Sequence, residues 1–327
     1  MLNFCTLYNS NYAAKGLVLY WSLRKVCPEF HLYVLAMDDA IEQVLREQQL
    51  PHVTVIGMQE FEDEKLLQVK PTRSVAEYCW TCTASLMMYC LTHFDIDHCT
   101  YLDSDVYFYR NPQVMMDEMG NDDVLITPHW FPATDDNSKN VGKYCVQFVT
   151  ARNTENGRRI INDWRNDCLD WCSCHYDNGK MGDQMYLDSW PEKYPRVCVS
   201  SNRGAGVAPW NTKRYEFTKQ NDVLYIADKE DGKIFPIVFY HYHFVFSLRM
   251  GIIHEFAYDV YNMSRSCYEL LYKTYLKDLK KAYRDLKKCN NQIDSLGTKE
   301  DSLSWREYWR KRISILRHKD FKHYFWI

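Results

Sequence analysis

Short apolar runs alternate with segments of helical periodicity through the first hundred or so residues, and this alternation constrains the fold more than any other feature of the chain. Phe4–Tyr8, His31–Met37 and Val53–Met58 read as strands, with helices at Tyr12–Arg24 and Ala40–Gln49 between them. Pro51 and Gly57 punctuate the ends. Ser74–His93 reads as a long helix, with Ser74 as its N-cap and Glu77 completing a capping box. Thr100–Tyr109 returns as a strand that stops at Asn111-Pro112. Connections this short imply parallel strands joined through helices. The expected fold class is therefore α/β, a Rossmann-like, mixed but mainly parallel sheet with helices on both faces. Ligands in such sheets bind beyond the carboxyl ends of the strands.

Further on, Asp123–Thr127, Lys143–Thr150, Val197–Ser200, Val223–Ile226 and Pro236–Phe246 read as strands. Gly157–Trp171 reads as a helix and Phe131–Val141 as a polar loop. From Ser264 onward the chain turns basic, with about 16 Lys+Arg against about 8 Asp+Glu. Tyr268–Lys288 and Ser304–Leu316 carry apolar residues at helical spacing among these charges. The expected division is an α/β domain over residues 1–247 and a basic, aromatic-rich helical extension over 248–327.

The net charge of −3 gives no reason to expect a nucleic-acid partner. No run approaches the roughly 18 apolar residues of a spanning helix. The first residues read as a strand rather than a charged leader with an apolar core. The 13 cysteines, an odd number scattered along the chain, fit reduced thiols in a cytoplasmic protein. Cys168, Cys172, Cys174 and His175 form the one metal-like cluster, but a second Cys-x2-Cys pair is missing, which weighs against structural zinc.

The chemistry centres on Tyr101-Leu102-Asp103-Ser104-Asp105-Val106-Tyr107-Phe108. Two carboxylates at a strand end can hold one Mg2+ or Mn2+ through oxygen and leave positions open for a diphosphate. Surrounding two acids with this much apolar surface is costly unless a ligand compensates. On strand alternation, Asp105, Tyr107 and Tyr109 share a face with Asp103. Phosphatases of the haloacid-dehalogenase type also use Asp-x-Asp after a strand, but near the chain start and with Thr where Tyr107 stands here.

In these motifs the sequence resembles the GT-A glycosyltransferases, particularly the retaining enzymes of family 8, over roughly Met1–Phe246. Thr6-Leu7-Tyr8-Asn9-Ser10-Asn11-Tyr12 is similar to the family's first strand and turn, which hold the nucleotide. The resemblance implies nucleotide-sugar contacts from Thr6, Tyr8, Asn9, Asn11, Tyr12, Asp103 and Ser104, with Tyr12 stacking on the base. Asn9 and Asn11 equally suit a plain turn and helix cap. Gly182-Asp183-Gln184 resembles the family's Asp-Gln pair, implying that Asp183 contacts sugar hydroxyls and Gln184 lies near the anomeric carbon. His241-Tyr242-His243 resembles the late histidine that joins Asp103 and Asp105 on the metal, with His241 favoured and His243 the alternative. Trp210-Asn211 resembles a segment near the sugar site. Two departures stand out: Trp80-Thr81-Cys82-Thr83 occupies the place of a basic residue that orients the donor, with Arg73 or Arg249 as substitutes, and Tyr144-Cys145-Val146-Gln147 replaces an Asn-Ala-Gly element.

The resemblance implies a metal-dependent hexosyltransferase using Mn2+ or Mg2+. The donor is a nucleotide diphosphate sugar, a UDP-sugar favoured, and the acceptor a glycan or lipid-linked glycan in cell-surface polysaccharide or glycolipid synthesis. A GT-A-like binding or scaffold protein without turnover is the alternative, against which the intact Asp103/Asp105 and Asp183-Gln184 sets speak. In the tail, Trp305, Tyr308, Trp309, Tyr324, Phe325 and Trp326 interleave with Arg306, Arg310, Lys311 and Arg312. That pattern suits peripheral contact with the inner face of an anionic membrane, or a helix packed on the main domain.

Overall fold

The computed structural model describes residues 1–248, 252–255, 261, 263–290, 293–299 and 324–326. The expected Ser304–Leu316 helix, Arg249 and most of the aromatic tail lie outside the described residues.

The first half builds as the alternation requires: β1 (Leu2–Tyr8), α1 (Ala13–Val26), β2 (Phe30–Ala36), α2 (Asp39–Gln48), β3 (Val53–Gly57), α3 (Val75–His93) and β4 (His98–Leu102). After β5 (Val106–Phe108) come β6 (Val124–Pro128), β7 (Tyr144–Arg152), α4 (Glu155–Asp170) and β8 (Val197–Val199). The seven-stranded sheet runs β3-β2-β1-β4-β7-β6-β8. β1, β2, β3 and β4 pair in parallel, and β7 runs antiparallel to both β4 and β6. This is the expected α/β class, mainly parallel.

β1 is buried along its whole length, as a central strand covered on both faces must be. Its side chains alternate: Leu2, Phe4 and Tyr8 join the core beneath α1, while Cys5 and Leu7 join the core beneath α3 and α4. The helices start where local chemistry allows. Asp38 caps α2, the Ser74–Glu77 capping box opens α3, and Thr154 caps α4. β1 lies at the point where the strand order reverses, between β2 and β4, so the crevice beyond its carboxyl end is open for a ligand.

Two expected strands are broken. Thr100–Tyr109 divides into β4 and β5, because Val106 N–H bonds back to the Asp103 carbonyl at 3.2 Å and closes a turn over Asp103–Asp105. β5 then leaves the main sheet for a three-stranded one, ordered β5, β13 (Phe239–His241) and β9 (Ala205–Val207). Tyr107 and Tyr109 therefore face away from the aspartates: their hydroxyls meet Asp278 (3.0 Å) and Tyr242, in the core beneath the C-terminal helix. The expected Pro236–Phe246 strand likewise splits into β12 (Ile234–Pro236), β13 and β14 (Val245–Leu248), which belong to three sheets. β12 completes an antiparallel trio with β10 (Tyr215–Gln220) and β11 (Val223–Asp228). The polar loop at 131–141 contains two single turns of helix, Ala133–Asp135 and Ser138–Val141.

The expected Tyr268–Lys288 helix is α5 (Lys273–Cys289), preceded by a wide turn at Tyr268–Tyr272. Leu271, Tyr272, Tyr275, Leu279 and Leu286 belong to the same buried core as Leu17, Tyr20 and Phe108. All 13 cysteines are free thiols. Cys168 and Cys172 are buried whereas Cys174 and His175 are exposed, so this quartet does not close around a point. No helix among the described residues is long and apolar enough to cross a membrane.

Candidate active site

Beyond the carboxyl ends of β1 and β4 lies a cavity of about 1020 Å³. Leu7, Tyr8, Asn9, Asn11 and Tyr12 line it at the end of β1, and Asp103, Ser104 and Asp105 at the end of β4. Asp183, Gln184, His241 and His243 complete it. The fold thus brings segments more than a hundred residues apart into one concavity. Of the residues expected there, Thr6, Arg73 and Asn211 are missing from the lining, and Thr6 is the one on β1. It sits one step too early on β1, fully buried, with no hydrogen-bond partner for its Oγ1 among the described residues.

The Asp103–Asp105 turn is held on several sides. Asp103 N–H donates to the Gln147 carbonyl (3.3 Å), and Tyr242 N–H donates to the Asp105 carbonyl (2.8 Å). The two carboxylates then meet different surroundings. Asp103 opens partly to the cavity and accepts the Tyr101 hydroxyl proton at 3.2 Å. Asp105 is more deeply buried and lies between two cations: Oδ1 is 3.0 Å from His241 Nε2 and Oδ2 is 3.5 Å from Lys15 Nζ. Burial pushes Asp103 up to about 6, only partly offset by His241. Asp105 goes the other way: burial opposes its charge, but His241 and then Lys15 hold it well below the usual carboxylate range.

His241 is the histidine that meets both carboxylates, at 3.0 Å from Asp105 and 3.7 Å from Asp103. Its other nitrogen, Nδ1, is 3.0 Å from Gln147 Oε1. An amide oxygen accepts only, so Nδ1 carries a proton and Nε2 is the nitrogen turned to the carboxylates. Gln147 reaches this point because position 206 is glycine: a Cβ there would lie 2.9 Å from Gln147 Nε2, at a φ of +110°. His243 lines the same wall with its ring 5.8 Å from His241, and burial pushes it down to about 3, so it stays neutral. Asp103, Asp105 and His241 do not close as tightly as a compact metal trio. The one such trio among the described residues is Cys5, Cys90 and Cys99, buried in the sheet core and absent from the cavity lining. Two carboxylates and an imidazole nevertheless form a donor set suited to Mn2+ or Mg2+, and two buried acids turned towards one cavity are the groups whose charge a divalent cation would balance.

At the other end, Asp183 is buried, its carboxyl close to the Thr83 hydroxyl, and burial followed by Asp103 pushes it up to about 7. Its backbone is fixed by Trp164, whose indole N–H donates to the Asp183 carbonyl at 2.8 Å. Gln184 is tethered to the 131–141 loop by donating to the Val141 carbonyl at 2.7 Å. At the β1–α1 end, Asn9 accepts the Asn11 N–H (3.1 Å), which is the capping role open to it from sequence. Gly16 lets α1 lie against Tyr8: a Cβ there would overlap the ring at 2.4 Å.

Three residues escaped the sequence reading. Lys15 is one. Another is His129, buried, stacked on Phe131, its carbonyl accepting from the Trp210 indole at 3.0 Å. The third is Gln147 in its role as the partner of His241. Lys15 had a signal, as the lone charge in the apolar stretch Ala13–Leu23. His129 and Gln147 had none, because their positions depend on strands paired across the sheet.

No known protein-family profile matches the chain. Two curated proteins of Bacillus subtilis (strain 168) are similar over about three quarters of its length. Uncharacterized protein YfnD is 29% identical over 244 residues, 73% of this chain and 76% of that protein. Uncharacterized protein YfnF is 26% identical over 247 residues, 73% of this chain and 80% of that protein. Among solved structures, galactosyltransferase LgtC, crystallised with donor and acceptor sugar analogs, superposes with a TM-score of 0.53 at 14% identity. The match covers 86% of this chain and 96% of that one.

Proposed function

The chain has the GT-A fold, and from that premise we propose that it is a metal-dependent glycosyltransferase, moving a sugar from a nucleotide diphosphate sugar to an acceptor hydroxyl. One observation carries the proposal: Asp103, Asp105 and His241 share a single cavity with Asp183, Gln184 and the β1–α1 turn. LgtC, a galactosyltransferase of the same fold, adds support.

Asp103, Asp105 and His241 Nε2 would hold Mn2+ or Mg2+. Such a cation neutralises charge on the departing diphosphate. Tyr12 and the Asn9–Asn11 turn take the nucleoside, with a UDP-sugar as the favoured donor. Asp183 orients the sugar hydroxyls, and Gln184, pinned through its amide nitrogen, lines the reactive face. With a glutamine at that position, retention follows if the leaving phosphate takes the acceptor proton. The acceptor is a glycan or lipid-linked glycan, in cell-surface polysaccharide or glycolipid synthesis on the cytoplasmic side. The basic tail provides a peripheral membrane contact that liposome co-sedimentation of the chain truncated before Ser304 tests.

The decisive measurement is nucleotide release from a panel of nucleotide sugars with Mn2+, together with thermal stabilisation by UDP and GDP. We expect a shift that requires the metal and turnover with one donor, both lost in Asp105→Asn. A protein stabilised by nucleotide and metal but inert to every donor and acceptor would be a binding module instead.

A further inference from the structure

Lys15 is the least expected charge in the molecule. It sits in the first turn of α1 among Ala13, Ala14, Gly16 and Leu17, and is 2% exposed. Burying an ammonium is costly unless an opposite charge offsets it. Here that charge is Asp105, 3.5 Å away, on the carboxylate oxygen not used by His241. The same Nζ lies 4.0 Å from the centroid of the Tyr12 ring. One amine therefore joins the residue proposed to face the nucleoside to the residue proposed to anchor the metal.

The rest of the cavity is short of positive charge. Its wall from α3 consists of Val75, Ala76, Cys79 and Trp80, where the sequence departs from the basic residue expected. Arg73 is turned elsewhere, donating to the Leu169 carbonyl at 3.2 Å. Among the described lining residues the one lysine or arginine is Lys213, which is paired with Asp135 at 2.6 Å.

We infer that Lys15 is a positioning residue for the donor diphosphate: a fixed positive charge beneath Asp105 that lowers affinity for the free metal ion and raises affinity for the nucleotide bound over it. This rests on the metal-diphosphate reading proposed above. With a divalent cation in place, His241 is neutral at Nε2, and two carboxylates and the cation sum to zero, so without Lys15 the seat offered to the diphosphate is neutral. With Lys15 it carries one net positive charge. The same ammonium repels the incoming cation, so the two affinities respond with opposite sign.

The test uses the full chain and two titrations: Mn2+ alone, and UDP at saturating Mn2+. Lys15→Met should bind Mn2+ about tenfold more tightly and UDP about tenfold more weakly, as expected for a charge removed a few ångströms away in a partly desolvated site. Lys15→Arg should recover most of the UDP affinity. A residue that only supports the fold would weaken both ligands together, and that result, or two unchanged affinities, overturns the inference. Circular dichroism of the metal-free proteins reads the fold. Should the methionine variant not fold, Lys15→Gln carries the same pair of readings, and failure of both neutral variants assigns Lys15 a structural role. Absence of Mn2+-dependent UDP binding in the unmodified chain would instead defeat the proposed function itself.

Discussion

Asp103 and Asp105 are two residues apart, yet their surroundings drive them in opposite directions, one up to about 6 and the other far below its usual range. The cause is geometry: Asp105 has a cation at each oxygen, whereas among the described residues the cation facing Asp103 is the more distant edge of His241. The tautomer of His241 is set by Gln147, so Gln147→Leu should weaken Mn2+ binding about 10- to 100-fold while the folded state persists, checked by metal titration beside thermal unfolding. Asp183 offers a pH test. Its folded carboxyl titrates near 7 and an unfolded aspartate near about 3.9, so the folded state binds the extra proton between those values. Stability from this group is therefore lost as pH rises through that window. Asp183→Asn should raise the melting temperature at pH 8, by the equivalent of roughly 2–4 kcal/mol, give little gain at pH 4, and abolish turnover.

At the scale of elements, the capping box on α3 does more than start a helix. Glu77 accepts Ser74 N–H at 2.9 Å and also Cys174 N–H at 2.9 Å, so the α3 N-terminus anchors the loop that leads to Asp183. Ser74→Ala should cost about 1 kcal/mol in chemical denaturation with little change in donor affinity. Glu77→Ala should lose a similar stability and also raise the KM for donor, because the loop is released. These caps, the helices and the strand alternation were legible in sequence because each depends on neighbours within four residues. The break at Asp103–Asp105 was not. Thr100–Tyr109 is apolar enough to continue as one strand, and it breaks because Val106 N–H turns back to the Asp103 carbonyl and β5 then pairs with β13, a strand more than a hundred residues away.

For the whole molecule, α5 is part of the core that supports the site. Tyr275 stacks on Tyr242 with ring centroids 3.7 Å apart, and Tyr242 is the neighbour of His241. Tyr107 adds a hydrogen bond to Asp278 from β5. A chain ending at residue 247 would expose Tyr242, Tyr107 and the floor under Asp105 and His241, so it is expected to aggregate on expression. Leu279→Ala, within the full chain, should cost about 2–5 kcal/mol, measured by urea denaturation.

The sequence by itself determined the α/β class and the order of the main strands and long helices up to β4, though not the short helices Met58–Phe61 and Glu64–Val69, because periodicity, caps and short motifs are local properties. Tertiary structure alone decided which histidine meets the aspartates, that Gln147 orients it, and that Tyr107 and Tyr109 belong to the core rather than the cavity. It also decided that Lys15 lies under Asp105. These facts depend on distances between segments that only folding brings together, where burial and a facing charge, rather than residue type, set what each group can do.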